Sequence, residues 1–439
     1  MILDAFISAV SALVALRLAF LMVLAASDVF RRHRRGPLPD VDLPTLTVIV
    51  PAYNEEAVIA GTVRSLLASD HPSLSVIVVD DGSADGTAAV VGAMVAGSGG
   101  RLRLLEQPHN GGKAAALNAG LAVAAGELVA TVDADTLVAP DALRTLCVAL
   151  LAEDADAAAS NVKVGNRDRW LTRWQSVEYI LGLNLSRRAQ AALGCITTIP
   201  GAACAFRPAA LSAVGGLSVD TVVEDTDLTI ALQRAGKRIV YVPEAVSYTE
   251  APVDWVGLYR QRSRWMRGYL QCLWKHRAAF WRLDALGLFG MPNLLFVHLL
   301  VYLLVPLSLP PLLRLLEWSG PGPLLWGLVG LFGGELVVAA LAYAVDDEAV
   351  GELVHVPFRR LIWPWFLLIT FVLVWFQLFR GRRLGWGQPS RQGALAAAGP
   401  GVLRERASRG GSRHGDPERT ERKDHHPPKT PQHRPRTRQ

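Results

Sequence analysis

Apolar residues fall into two rhythms along this chain. In the middle, short β-branched runs at residues 47–50, 76–79, 102–105 and 128–132 alternate with Ala-rich stretches whose apolar positions recur at helical spacing. The runs are apolar at nearly every position, so both faces of each strand need a covering layer. Alternation with helices then predicts an α/β unit on a largely parallel sheet. Asn54, followed by Glu55 and Glu56, predicts a capped start to the helix after the first strand, and Gly97-Ser98-Gly99-Gly100 predicts the end of the second. No internal repeat is visible.

The second rhythm is the uninterrupted apolar run. Residues 5–26 are long enough to cross a bilayer, and Arg31-Arg32-His33-Arg34-Arg35 follows at once. The start Met1-Ile2-Leu3-Asp4 lacks the positive flank of a signal peptide, so the run predicts an anchor with its N-terminus outside. Residues 294–313, 324–345 and 361–379 are three further candidate spans. One span plus three puts the C-terminus outside, whereas Arg380, Arg382 and Arg383 favour the inside. Either the last segment is interfacial or re-entrant, or the count differs by one. Arg17, His298 and Glu335 fall inside these runs, either pairing helices, as Arg17 with Glu335, or lining a channel. The organisation expected is an anchor over 1–30, a cytoplasmic α/β domain over 31–289 ending in interface helices, a membrane region over 290–387 and a disordered basic tail over 388–439.

Composition agrees with a membrane protein: 51% hydrophobic, 19% charged, mean hydropathy +0.26. The net charge of +6 changes the picture less than its size suggests, because residues 401–439 hold 11 Lys and Arg against 5 Asp and Glu. The rest of the chain balances, and a compact nucleic-acid-binding domain is not indicated. Cys147, Cys195, Cys204 and Cys272 have neither disulfide-framework nor zinc spacing, and read as buried thiols.

Acids cluster where ligands bind in open α/β sheets, at the carboxyl ends of strands. Asp80 and Asp81 end the second strand and suit the polar edge of a nucleoside, or an Asx turn. Asp133 and Asp135, two apart after the fourth, share one side of an extended segment and suit a hard cation, Mg2+ or Mn2+, bridging a diphosphate. Glu224, Asp225 and Asp227 open an apolar helical pattern. The helix dipole favours acids there, and one of them could take a proton from a sugar hydroxyl. Gln261, Arg264 and Trp265, at i, i+3 and i+4, share a helix face that offers an amide, a phosphate fork and a flat ring. An amphipathic helix at a membrane interface would carry the same residues.

These stretches, with Gly111-Gly112-Lys113, Asn118 and Pro200-Gly201, run in the order found in membrane-embedded processive family 2 glycosyltransferases. That group includes the cellulose, chitin and hyaluronan synthases, and the chain most resembles bacterial poly-N-acetylglucosamine synthases. The resemblance implies a GT-A fold joined to transmembrane helices. It implies Asp81 at the uracil, Lys113 and Asp133 along the nucleotide sugar, Asp135 on the metal, Asp225 as catalytic base, and Gln261, Arg264 and Trp265 closing over diphosphate and acceptor. It further implies a plasma-membrane, multi-pass enzyme whose partners are a UDP-sugar, UDP-N-acetylglucosamine first, a growing polysaccharide, the bilayer and accessory export subunits. A transferase glycosylating a lipid carrier and a β-glucan synthase using UDP-glucose stay open beside it. A silent scaffold should have lost one of Asp81, Asp135, Asp225 or Arg264, and none is lost. Val223, where many relatives have Thr, the single N-terminal span and the long tail depart from the pattern.

Overall fold

Strands made of Val, Ile and Leu must be covered on both faces, and in the computed structural model of the protein they are. It describes residues 2–35, 39, 41–304, 306, 321–380 and 393. The strands are β1 (Leu46–Ala52), β2 (Leu74–Asp80), β3 (Leu102–Glu106), β4 (Leu128–Val132), β5 (Thr136–Val138), β6 (Ala157–Val164), β7 (Ala203–Phe206) and β8 (Ile239–Thr249). They form one sheet in the order β3-β2-β1-β4-β7-β6-β8-β5. β1 to β4 are parallel, β7 runs antiparallel between β4 and β6, and β8 pairs parallel with β6.

Helices cover both faces. α1 (Ile2–Arg35) precedes the sheet; α2 (Ile59–Leu67), α3 (Thr87–Val95), α4 (Lys113–Ala122) and α5 (Ala142–Ala152) lie between its strands. Period-two alternation sorts the strand residues. Val48, Val50, Val76 and Val78 join the core under α2 and α5, while Ile49, Ile77, Val79 and Val129 join the opposite core with Leu117 of α4. Fully burying one such side chain contributes about 1.5–3 kcal/mol. The register sets Ala52 beside Asp80 and Ile49 beside Thr131, so β1, β2 and β4 end at one edge.

Beyond β6 the chain becomes helical: α6 (Trp170–Glu178), a π-helical turn over Tyr179–Asn184, α7 (Leu185–Leu193), α8 (Pro208–Ala213), α9 (Glu224–Arg234) and α10 (Trp255–Lys275). Then follow α11 (Met291–Leu295), α12 (Val301–Leu304), α13 (Pro321–Val345) and α14 (His355–Phe379). The run expected to span at 294–313 is not one regular helix. A π-helical turn at Phe296–Leu300 interrupts it, and residues 307–320 lie outside the described part. Among the described residues one stretch, Val350–Phe379, is long and apolar enough to cross a membrane. Arg17 does not pair with Glu335. It donates to Asn293 Oδ1 at 2.7 and 3.2 Å and lies over the Phe296 ring, while Glu335 meets Arg359 and Arg360 at 3.4 Å each. Helix packing brought nearer partners to both groups than the sequence suggested. The tail expected over 388–439 lies outside the described residues except Gly393.

A buried polar junction ties the apolar helices to the sheet. Asp346, just after α13, accepts from Asn161 Nδ2 of β6 at 2.9 Å and from Asn184 Nδ2 at 3.1 Å. Arg188 of α7 bridges Asp346 and Asp28 of α1 at 3.5 and 3.8 Å. Burial opposes ionisation of Glu348, but Arg167 and Lys163 outweigh it and hold its carboxyl at about 2.

Candidate active site

The loops after β1 and β2 are laced to each other. Asp80 accepts from Ser83 N and Oγ, the Asx turn foreseen as the structural reading, but the neighbouring Asp81 does something different. Its buried carboxylate accepts from Gly111 N at 2.9 Å and Gly112 N at 2.8 Å, so it fixes the turn that opens α4 and delivers Lys113. Gly82 is required there: it has φ +70°, and a Cβ would stand 2.9 Å from the His109 backbone. Asn54 does not cap a helix. With φ 54° it accepts from Ala84 N across the loops at 2.9 Å, and α2 begins only at Ile59, after the uncapped Val58. The cross-loop donor outcompeted the local cap.

Lys113 leads to the centre. Its Nζ lies 2.7 Å from Asp133 Oδ1 and 2.6 Å from Glu224 Oε1. Burial works against its charge, yet Asp133, Glu224 and Asp225 hold its pKa well above the ordinary lysine range. Gly201 passes so close that a Cβ would stand 2.6 Å from Lys113 Nζ and 3.0 Å from Asp133 Oδ2.

The acids at the start of α9 have separate partners. Glu224 faces Lys113. Asp227 turns the other way, to His276 Nε2 at 2.7 Å and Lys275 Nζ at 2.9 Å, and so docks the end of α10. Asp225 lines the cleft and accepts from Thr226 N at 2.7 Å. Burial, then the Glu224 charge, push its pKa up to about 6 against the pull of Lys113. A carboxyl tuned toward neutrality within a cleft suits proton transfer.

Gln261, Arg264 and Trp265 line the same cleft from α10, as their spacing predicted. Arg262 is not among the lining residues: it donates to Glu178 Oε2 at 2.6 Å and its guanidinium lies 4.2 Å over the centre of the Trp265 ring. The cleft thus gathers Lys113, Asp133, Asp135, Asp225, Gln261, Arg264 and Trp265; Asp81 is not among its lining residues. Sequence reasoning missed the wall contributed by Tyr179, Arg187, Gln190 and Tyr269; His298, expected either to pair helices or to line a channel, lines this cleft with its ring stacked 3.6 Å from that of Tyr269. Two adjacent arginines at the start of an amphipathic helix were the available signal, and it was not read.

Among the described residues no group of three His, Cys, Asp or Glu side chains is set to hold a metal. Asp133 and Asp135 offer carboxylate oxygens to one cleft, with Asp135 buried. Such a donor set fits a hard divalent cation that takes one or two protein carboxylates and completes its shell from ligand phosphates and water.

Known proteins resemble this chain in sequence and in fold. The family model described as glycosyltransferase like family 2 matches residues 44–268, just over half the chain. An N-acetylglucosaminyltransferase of Mesorhizobium japonicum is 36% identical over 237 residues, covering 51% of this chain and 55% of that protein. A poly-beta-1,6-N-acetyl-D-glucosamine synthase of Staphylococcus aureus is 30% identical over 241 residues, covering 54% and 58%. The matched stretches thus span less than two thirds of these relatives. A mannosyltransferase of Pyrobaculum calidifontis, solved with GDP-Man and Mn2+, superposes with a TM-score of 0.53 at 21% identity over 79% of this chain and 99% of its own. The fold is therefore GT-A, and since the family match spans over half the chain and takes in Lys113, Asp133, Asp135, Asp225, Gln261, Arg264 and Trp265, the chain belongs to glycosyltransferase family 2.

Proposed function

We propose that the chain is a membrane-embedded, processive, inverting glycosyltransferase that polymerises a β-linked polysaccharide from a UDP-sugar, UDP-N-acetylglucosamine first. The observation that carries this is the position of Asp225. Its carboxyl, raised to about 6, shares one cleft with Lys113, Asp133 and Asp135 and with Gln261, Arg264 and Trp265. In the proposed reaction Asp225 takes the proton of the acceptor hydroxyl as its oxygen forms the new bond to the anomeric carbon, and the bond to UDP breaks in line. Asp81 orders the nucleotide-side loop against the base, while Lys113 and Arg264 meet diphosphate charge. Asp133 and Asp135 would hold Mg2+ or Mn2+, which when bound offsets charge on the departing diphosphate. Gln261 and Trp265 receive the acceptor.

The names of the Mesorhizobium and Staphylococcus relatives favour N-acetylglucosamine as the sugar. The apolar Val350–Phe379 stretch and the polar junction between the apolar helices and the sheet favour a catalytic domain seated on the plasma membrane, facing the cytoplasm, with the other apolar helices completing a multi-pass region. Membranes containing the full chain should be incubated with radiolabelled UDP-N-acetylglucosamine, UDP-glucose and GDP-mannose, and the products sized. Long alkali-stable polymer from the first donor is expected. Polymer from UDP-glucose alone would reassign the sugar, and a single sugar on a lipid fraction would replace polymerisation with carrier glycosylation.

A further inference from the structure

Three arginines in the described chain are equally buried, at 6% exposure each: Arg187, Arg188 and Arg262. Two have carboxylate partners, Arg188 in Asp28 and Asp346, and Arg262 in Glu178. Arg187 has none within ion-pair distance among the described residues. Among the described residues its guanidinium makes one hydrogen bond, to Asn184 Oδ1 at a long 3.4 Å, and it lines the cleft. A guanidinium taken out of water without a counter-ion is a standing cost to stability. A residue kept at such a cost at the wall of a binding cleft points to a ligand that completes it.

The surroundings say what kind of ligand. Arg187 stands on the helix that continues the Tyr179–Asn184 turn, and Tyr179 and Tyr269 of the same cleft pack with Trp265, the ring proposed to receive the acceptor, whereas Lys113 and Asp133 form their own pair. Arg187 therefore belongs to the acceptor side of Asp225. Beside it, Ser186 and Gln190 of α7 and the rings of Tyr179, Tyr269 and Trp265 reach the cleft. Hydroxyls, an amide and aromatic faces around one fork of N–H donors suit a sugar. The Asp225 and Glu224 carboxylates that line the same cleft disfavour a second anion.

Resting on the polymerase reading above, we propose that Arg187 is an acceptor-binding residue that donates to an uncharged oxygen, an acyl carbonyl or hydroxyl, of the terminal acceptor sugar and so presents its hydroxyl to Asp225.

The test uses the full chain in nanodiscs, with the donor that wild type turns over and a β-linked N-acetylglucosamine trisaccharide as acceptor probe, beside a polyprenyl phosphate. Arg187→Met should raise the trisaccharide KM about ten- to a hundredfold, the worth of a charge-assisted hydrogen bond. The donor KM should stay within about twofold, and the melting temperature should rise because an unpaired buried charge is gone. Arg187→Lys, which keeps the charge but not the fork, should lie between. An unchanged trisaccharide KM, a donor KM rising in step, or a lower melting temperature in Arg187→Met would each overturn the assignment while wild-type elongation leaves the polymerase reading intact. Wild-type transfer to polyprenyl phosphate and none to the trisaccharide would overturn both.

Discussion

Lys113 Nζ lies 2.6 Å from Glu224 Oε1, one residue before Asp225. Glu224 raises the proton affinity of Asp225 and Lys113 lowers it, so cation, neighbour and proposed base form one electrostatic unit.

The pH profile reads this unit. As a base Asp225 works deprotonated, so kcat/KM should rise through pH of about 6 and level off above it, rather than levelling near the ordinary aspartate value of about 4. Glu224→Gln removes a repelling charge and should move the acid limb to lower pH. A wild-type limb near 4 would show that Asp225 is not the titrating base.

Asp225→Asn keeps shape and loses basicity. Turnover should drop by a factor of about a hundred to ten thousand with UDP affinity nearly unchanged. EDTA should abolish wild-type activity and added Mg2+ or Mn2+ restore it; full activity in EDTA would argue against Asp133 and Asp135 holding a metal.

Gly201→Ala sets a methyl 2.6 Å from Lys113 Nζ and 3.0 Å from Asp133 Oδ2. Displacing that ion pair should raise the donor KM several-fold or more while the melting temperature changes little, which titration with UDP and thermal unfolding can separate.

Asp227 has a purely structural prediction. Its carboxyl, with burial outweighed by His276 and Lys275, sits below the usual aspartate range. Asp227→Ala leaves His276 buried without that partner and should cost about 3 kcal/mol in unfolding, with kcat per folded molecule hardly altered.

Arg262 stacks on the Trp265 ring, so product length should depend on both. Trp265→Ala should shorten the polymer by removing the sugar platform. Arg262→Met should do so by freeing the indole, each at nearly unchanged donor affinity. Normal-length polymer from well-inserted Arg262→Met would show that the stacking does not orient Trp265.

The local periodicities were legible in the chain. Unbroken Val and Ile runs determined β1, β2 and β4; a parallel sheet determined that their following acids meet at one edge; and a helical spacing of three and four determined that Gln261, Arg264 and Trp265 face one way. Each follows from neighbours within a turn or a strand. What depended on distant partners was not legible. Asp80 meets its local partner Ser83, as an Asx turn requires, but Asp81 is told apart from it only when it finds Gly111 and Gly112, about thirty residues on. Glu224, Asp225 and Asp227 are three similar acids until Lys113 takes the first and His276 the last, leaving the middle one to the cleft. Arg187 and Arg188 are an undistinguished pair until Asp28 and Asp346 neutralise one of them. For Asp81, Glu224, Asp227 and Arg188 the tertiary packing chose the partner, because a charge at this depth takes its state from the groups that replace water around it, and those come from remote parts of the sequence.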